Sequence, residues 1–239
     1  MAIKSWYACI ELFYFENGML AMAESDWLYS FFKLEHRMKN LFCGVCLLIA
    51  TAVFGEDVRI LAFAGSTRAG SYNQQLVQEA AIVAGQMGAK VTVVRLSDYP
   101  MPFYDADLEQ KEGMPKNAKR LRQLMIDSDG VIIASPEYNH SISGVLKNAL
   151  DWISRSEDGN GSYEASRGKV FALMSASPGK KGGQRALSHL NEIIGDLKGT
   201  VIEQKVSIPH AYKYFGEKER GENPAVKKAI EELLAACKR

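Results

Sequence analysis

The sequence predicts an α/β domain from about residue 57 onward, with a five-stranded parallel sheet covered by helices on both faces. Three observations predict it. Short apolar runs alternate with amphipathic stretches five times between residues 58 and 237. Residues 131–135 (VIIAS) show no polar alternation, as a strand buried on both faces requires. Successive elements are separated by Gly, Pro, Asp and Ser, and strict strand–helix alternation closes a parallel sheet through right-handed crossovers.

The elements follow in order. Residues 58–64 are an apolar run that stops at Gly65, the first strand. Residues 72–87 carry Leu76, Val77, Ala80, Ala81, Val83, Ala84 and Met87 on one helical stripe, and Gly88 ends that helix. Residues 91–95 are the second strand, and residues 96–115, with three prolines, are a long loop in which Met101 and Phe103 are packing residues. A helix over 116–127 turns Ala118, Leu121, Leu124 and Met125 inward. Residues 131–135 are the third strand, followed by a helix over 143–153 built on Val145, Leu146, Ala149, Leu150 and Ile153. Residues 170–176 are the fourth strand, 182–197 a helix, and 200–206 the fifth strand. The last helix spans 224–237, with Asn223 as N-cap and Pro224 in first position.

Residues 1–56 differ in character and read as an N-terminal extension to the domain of 57–239. They hold an apolar run at 41–54, preceded by Lys33, Arg37 and Lys39. A run of about 14 residues is short of the roughly 20 needed to span a bilayer. The segment 38–55 is open to three readings: a signal peptide behind a misplaced start, a membrane-surface anchor, or an added helix.

Charge and cysteine usage narrow the function. Lys and Arg number 29 against 28 Asp and Glu, a net charge of +1 with no basic stripe, which argues against a nucleic-acid partner. The four cysteines, Cys9, Cys43, Cys46 and Cys237, form no disulfide framework. Cys43 and Cys46 have C-x-x-C spacing, but they sit in the apolar run without a second ligand pair or a following strand–helix unit.

In a sheet of this kind ligands sit beyond the carboxyl ends of the strands, so the loops after strands one, three and four matter most. The first, Gly65-Ser-Thr-Arg-Ala-Gly-Ser-Tyr-Asn73, opens a helix whose free N–H groups and dipole favour an anion. Ser66, Thr67, Ser71 and Asn73 add neutral donors, and the Arg68 fork suits phosphate. Ser71 stands where a triphosphate loop needs Lys, and the G-x-G-x-x-G dinucleotide fingerprint is absent. A terminal phosphate monoester is what remains. A polar strand–helix turn with a capping Ser71 is the plain structural alternative.

The second loop runs Ser135-Pro-Glu-Tyr-Asn-His-Ser-Ile-Ser-Gly-Val-Leu-Lys-Asn-Ala-Leu-Asp-Trp152. Here the sequence resembles the NADPH-dependent FMN reductase family, which includes bacterial chromate and quinone reductases. Pro136-Glu137-Tyr138-Asn139 and the later Gly144, Leu146, Lys147, Asn148, Ala149, Asp151 and Trp152 match that family's signature. Gly65, Ser66, Arg68, Ser71 and Asn73 match its phosphate loop, and the resemblance spans residues 58 to the carboxyl end.

The resemblance implies a flavodoxin-like three-layer fold with strand order 2-1-3-4-5. It implies FMN as cofactor and NADPH or NADH as co-substrate, with hydride passing through flavin N5 and no catalytic side chain. Cofactor contacts are then expected from Ser66, Arg68, Ser71, Tyr72 and Asn73 around the phosphate. Pro136, Glu137, Tyr138 and Asn139, largely through backbone, and Ser175, Ser177 and Gly179 of the third loop are expected around the ring. Pro136 stiffens its turn and Tyr138 offers an aromatic face. Lys180 and Lys181 are either solvated or placed for the phosphate of the nicotinamide cofactor. His140 is read as an exposed loop residue before a proton donor. The helix with Asn148 and Asp151 is expected at a subunit interface, in a homodimer or homotetramer. Acceptors implied are quinones, azo compounds, chromate or free flavin; a flavodoxin-type electron carrier is the alternative. Nicotinamide supply implies the cytoplasm, and membrane contact is expected only through residues 38–55.

Overall fold

The computed structural model describes residues 57–216 and 222–238. The expectations placed on residues 1–56, including the 38–55 segment and the Cys43/Cys46 pair, lie outside the described residues.

The sheet is parallel throughout, in the order β2-β1-β3-β4-β5, with β6 also paired to β4. In chain order it comprises β1 (Arg59–Ala64), β2 (Lys90–Arg95), β3 (Gly130–Ala134), β4 (Val170–Ala176), β5 (Thr200–Val201) and β6 (Val206–Ile208). The helices are α1 (Tyr72–Gln86), α2 (Ala106–Glu112), α3 (Lys116–Ile126), α4 (Gly144–Ile153), α5 (Gln184–Asp196), α6 (Ala211–Tyr214) and α7 (Pro224–Cys237).

Two apolar cores sandwich the sheet. Alternate residues of β1 feed each: Ile60, Ala62 and Ala64 pack with Leu76, Val77, Ile230 and Leu233 of α1 and α7. Leu61 and Phe63 pack with Leu121, Leu146, Leu150, Leu190 and Ile194 of α3, α4 and α5. Both faces of β3 are buried throughout, which is why its sequence carries no polar alternation. Strand order reverses between β1 and β3, so a crevice opens beyond their carboxyl ends.

Two expected elements are corrected. The loop over 96–115 contains α2, capped by Asp105, whose Oδ1 accepts from the N–H groups of Asp107 and Leu108 at 2.8 and 3.2 Å. With Glu109 its only buried residue, α2 has no apolar stripe to betray it. The expected fifth strand over 200–206 is two short strands. Five positions separate Val201 from Val206 on this edge, against three between their partners Phe171 and Met174. The intervening N–H groups of Glu203 and Gln204 turn away and donate to the Glu232 carboxylate of α7, at 2.7 and 3.0 Å. Polar side-chain chemistry on a distant helix thus covers an edge that would otherwise stay open.

The proline-rich segment is fixed rather than loose. Trp152 Nε1 and Asn148 Nδ2 both donate to Pro102 O, at 2.8 and 2.9 Å, and Asn148 Oδ1 accepts from Tyr104 N at 2.8 Å. Asn148 therefore has a structural task within the chain. Met101 packs against both the second core and the Trp152 cluster. Phe103 does not pack: it is 81% exposed, because the chain is pinned on either side of it.

Cys237 ends α7 close to β3; a Cβ on Gly130 would lie 2.7 Å from its Sγ. Burial, and next the charge of Asp129, push the thiol up to about 11 from an ordinary 9.0. Folding therefore favours the neutral thiol. That contribution is complete below pH 9 and is lost as pH rises through about 11. Denaturation midpoints should fall across this window, and fall less steeply for Cys237→Ala. Identical slopes in the two proteins would exclude the thiol as the cause.

Candidate functional site

The first wall of the crevice is the β1–α1 turn. Gly65 N donates to Ala134 O at 2.9 Å, continuing the β1–β3 ladder, and the chain then turns over the start of α4. A Cβ on Gly65 would stand 2.8 Å from Leu146 Cβ, so this approach requires glycine. Ser143, the N-cap of α4, ties the two elements: its Oγ donates to Gly65 O at 2.5 Å and accepts from Leu146 N at 3.3 Å. Ser71 is the N-cap of α1, with its Oγ accepting from Gln74 N. The backbone N–H groups of Ser66, Thr67, Tyr72 and Asn73 have no acceptor among the described residues. Arg68 is held on the same turn, its Nη2 donating to Gly70 O at 2.9 Å and its guanidinium 5.7 Å from the Tyr72 ring centre. Unpaired N–H groups, two hydroxyls and one guanidinium around a helix start are a donor set for a phosphate dianion.

The Asn73 side chain also has a partner within the chain. Its amide pairs with the backbone of Ala176 in both directions, Nδ2 donating to Ala176 O and Oδ1 accepting from Ala176 N, each at 2.9 Å. It binds the first turn to the end of β4, leaving its own backbone N–H toward the crevice.

The second wall follows β3. Tyr138 and Ser141 exchange both backbone hydrogen bonds at 3.0 Å around Asn139 and His140, with φ of 48° and 68°. This is a tight reverse turn with both central residues left-handed. Such a conformation costs a non-glycine residue roughly 1–2 kcal/mol. The neighbouring helix α5 holds it: Arg185 Nη1 contacts the His140 ring, and His189 Nδ1 lies 3.0 Å from Ser141 Oγ. Glu137 Oε2 accepts from the N–H groups of Arg185 and Ala186, at 3.0 and 3.3 Å. The N–H groups of Glu137 and Asn139 have no acceptor among the described residues.

The third wall is the end of β4. Ser175 is fully buried, its Oγ donating to Ser135 O at 2.7 Å, so it braces β4 against β3 below the crevice. Gly183, the N-cap of α5, has φ +82°, and a Cβ there would lie 2.8 Å from Ser175 Cβ.

Between these walls lies one cleft. Ser66, Arg68, Ser71, Tyr72 and Asn73 line one end, and Pro136, Glu137, Tyr138 and Ser177 the other. Ala176 and Pro178 also line it, two residues that the sequence reading did not single out. Their signal was available: both lie in the small-residue loop after β4. Asn139, Ser175 and Gly179 do not line the cleft; Asn139 belongs to the turn, Ser175 to the brace, and Gly179 donates its N–H to Ser177 Oγ at 3.2 Å. The cleft fits FMN in kind: an anion receptor at one end, and the free backbone N–H of Glu137 with an exposed tyrosine ring at the other.

Comparison with known proteins agrees. The description of NADPH-dependent FMN reductase matches residues 58–213. A quinone reductase of Escherichia coli K12 is 34% identical over 149 residues, covering 62% of this chain and 76% of its own. An NAD(P)H-dependent FMN reductase of Pseudomonas aeruginosa is 32% identical over 182 residues, covering 76% and 94% respectively. Among solved structures, the flavoenzyme NAD(P)H:(acceptor) oxidoreductase FerB of Paracoccus denitrificans has a TM-score of 0.55 at 25% identity, covering 76% of this chain and 96% of its own. With well over half of its length, residues 58–213, matched by one family description and its three loops closing a single cleft, the chain belongs to the NADPH-dependent FMN reductase family.

Proposed function

We propose that this protein is an FMN-dependent NAD(P)H oxidoreductase that passes electrons to a small acceptor, with quinones as the leading class. The observation that carries the reading is the single cleft with a phosphate receptor at one end and free backbone edges at the other. Bound there, FMN supplies the two-electron chemistry between nicotinamide and acceptor.

The chain's residues bind and orient. Ser66, Arg68 and Ser71, with the first-turn N–H groups of α1, take the phosphate. The N–H group of Glu137 is offered to the ring's polar edge, and Tyr138 offers an aromatic surface. The Glu137 carboxylate is engaged by α5 through Oε2. His140 receives a hydrogen bond from the Arg185 guanidinium.

The same reading carries a homodimer or homotetramer in the cytoplasm, where nicotinamide is supplied, with residues 57–239 as the working domain. Among the described residues, no helix is long and apolar enough to cross a membrane. The test is steady-state oxidation of NADPH and NADH by the FMN-loaded full chain against a quinone panel. Acceptor-dependent turnover is expected. Bound flavin without turnover on any acceptor would favour an electron carrier.

A further inference from the structure

Helix α5 begins without a cap of its own. Its N-cap, Gly183, has no side chain, and none can be added there. The residue has φ +82°, and a Cβ would press into Ser175. The first-turn N–H groups of Arg185 and Ala186 therefore need an acceptor from elsewhere. Glu137 supplies it from the loop after the neighbouring strand β3. Its side chain is 16% exposed, so this charge-assisted contact is largely shielded from water.

Glu137 sits in the segment that lines one wall, while Ala176, Ser177 and Pro178, just ahead of α5, line the other. The turn that follows Glu137 holds two left-handed residues, a conformation that persists only where the surroundings over-determine it. Those surroundings are α5, through Arg185 on His140 and His189 on Ser141. Withdrawing the Glu137 carboxylate would free both walls at once. The phosphate turn keeps ties of its own, Ser71 to Gln74 and Ser143 to Gly65, neither of which involves Glu137 or α5.

We propose that Glu137 is a positioning residue whose carboxylate, by capping α5 from the loop after β3, sets the separation of the two backbone edges that hold the flavin ring. The inference rests on the FMN reading above. It predicts that reach, not charge, is what counts at this position.

The test uses the full chain with Glu137→Ala, Glu137→Asp and Glu137→Gln. FMN and riboflavin are titrated by fluorescence quenching, and thermal melts are recorded alongside. Ala and Asp, which cannot reach α5, should weaken FMN and riboflavin by the same factor, about tenfold, as loss of a charge-assisted hydrogen bond implies. Gln, which reaches and still accepts, should bind both flavins nearly as the parent does. If Ala does not fold, the Asp and Gln pair decides alone. Folded Ala or Asp protein that melts earlier but binds both flavins normally would reduce Glu137 to a plain cap and overturn the inference. Asp behaving as parent while Gln behaves as Ala would overturn it too, since charge would then decide. A parent chain that binds neither flavin removes the FMN reading itself, which is a different failure.

Discussion

Trp152→Ala is expected to lower the free energy of unfolding by about 3–5 kcal/mol, the range for deleting a fully buried tryptophan. The side chain is wholly buried on α4, edge-on to Tyr104 at 5.1 Å between ring centres, and it packs with Met114 and Ala118. Cavity formation supplies most of that loss. The broken hydrogen bond adds little, because Pro102 O keeps Asn148 Nδ2 as a donor at 2.9 Å. Urea unfolding followed by far-UV circular dichroism measures the change. A loss below about 1 kcal/mol, the level of a surface substitution, would show that the segment around Pro102 collapses into the space instead.

The second large effect falls on ligand binding. Arg68→Ala should weaken FMN by about 1.5–3 kcal/mol, roughly ten- to 150-fold in Kd, as expected for a hydrogen bond to a charged group. One of its guanidinium donors is engaged by Gly70 O, which keeps the fork on its own turn and leaves other donors for a phosphate. Riboflavin, which has no phosphate, should bind the variant and the parent alike. Equal loss for both flavins would place Arg68 at the ring or in the fold instead. This outcome is the mirror image of that expected for Glu137, so together the two substitutions divide the cleft into its ends.

Much of this was legible in the sequence. Strands flanked by covering helices must be apolar on both faces, so β1, β3 and β4 declared themselves. Capping residues such as Ser71 and Asn223 fixed helix starts to within a residue. The phosphate turn was readable because unpaired N–H groups, hydroxyls and an arginine must be contiguous in the chain to act together. What escaped had non-local causes. Helix α2 is polar because it lies on the surface, where propensity and an Asp105 cap suffice. The break between β5 and β6 depends on Glu232, some 28 residues away from Gln204. The amide of Asn73 finds Ala176 across 103 residues, and the Glu137 cap joins segments 48 apart. Local pattern shows which residues could donate or accept; only the fold decides which partner comes first. Phe103 illustrates the same limit, since an apolar residue after a proline gives no sign of which side the chain will be pinned on.

The central claim is that the cleft holds FMN in a form that a nicotinamide can reduce and a quinone can reoxidise. The most direct measurement is the visible absorbance of the FMN-loaded full chain, followed without oxygen as NADPH or NADH and then a quinone are added. The account predicts that the flavin band bleaches with nicotinamide and returns with quinone. A chain that retains FMN but keeps its band unchanged under both nicotinamides would contradict it.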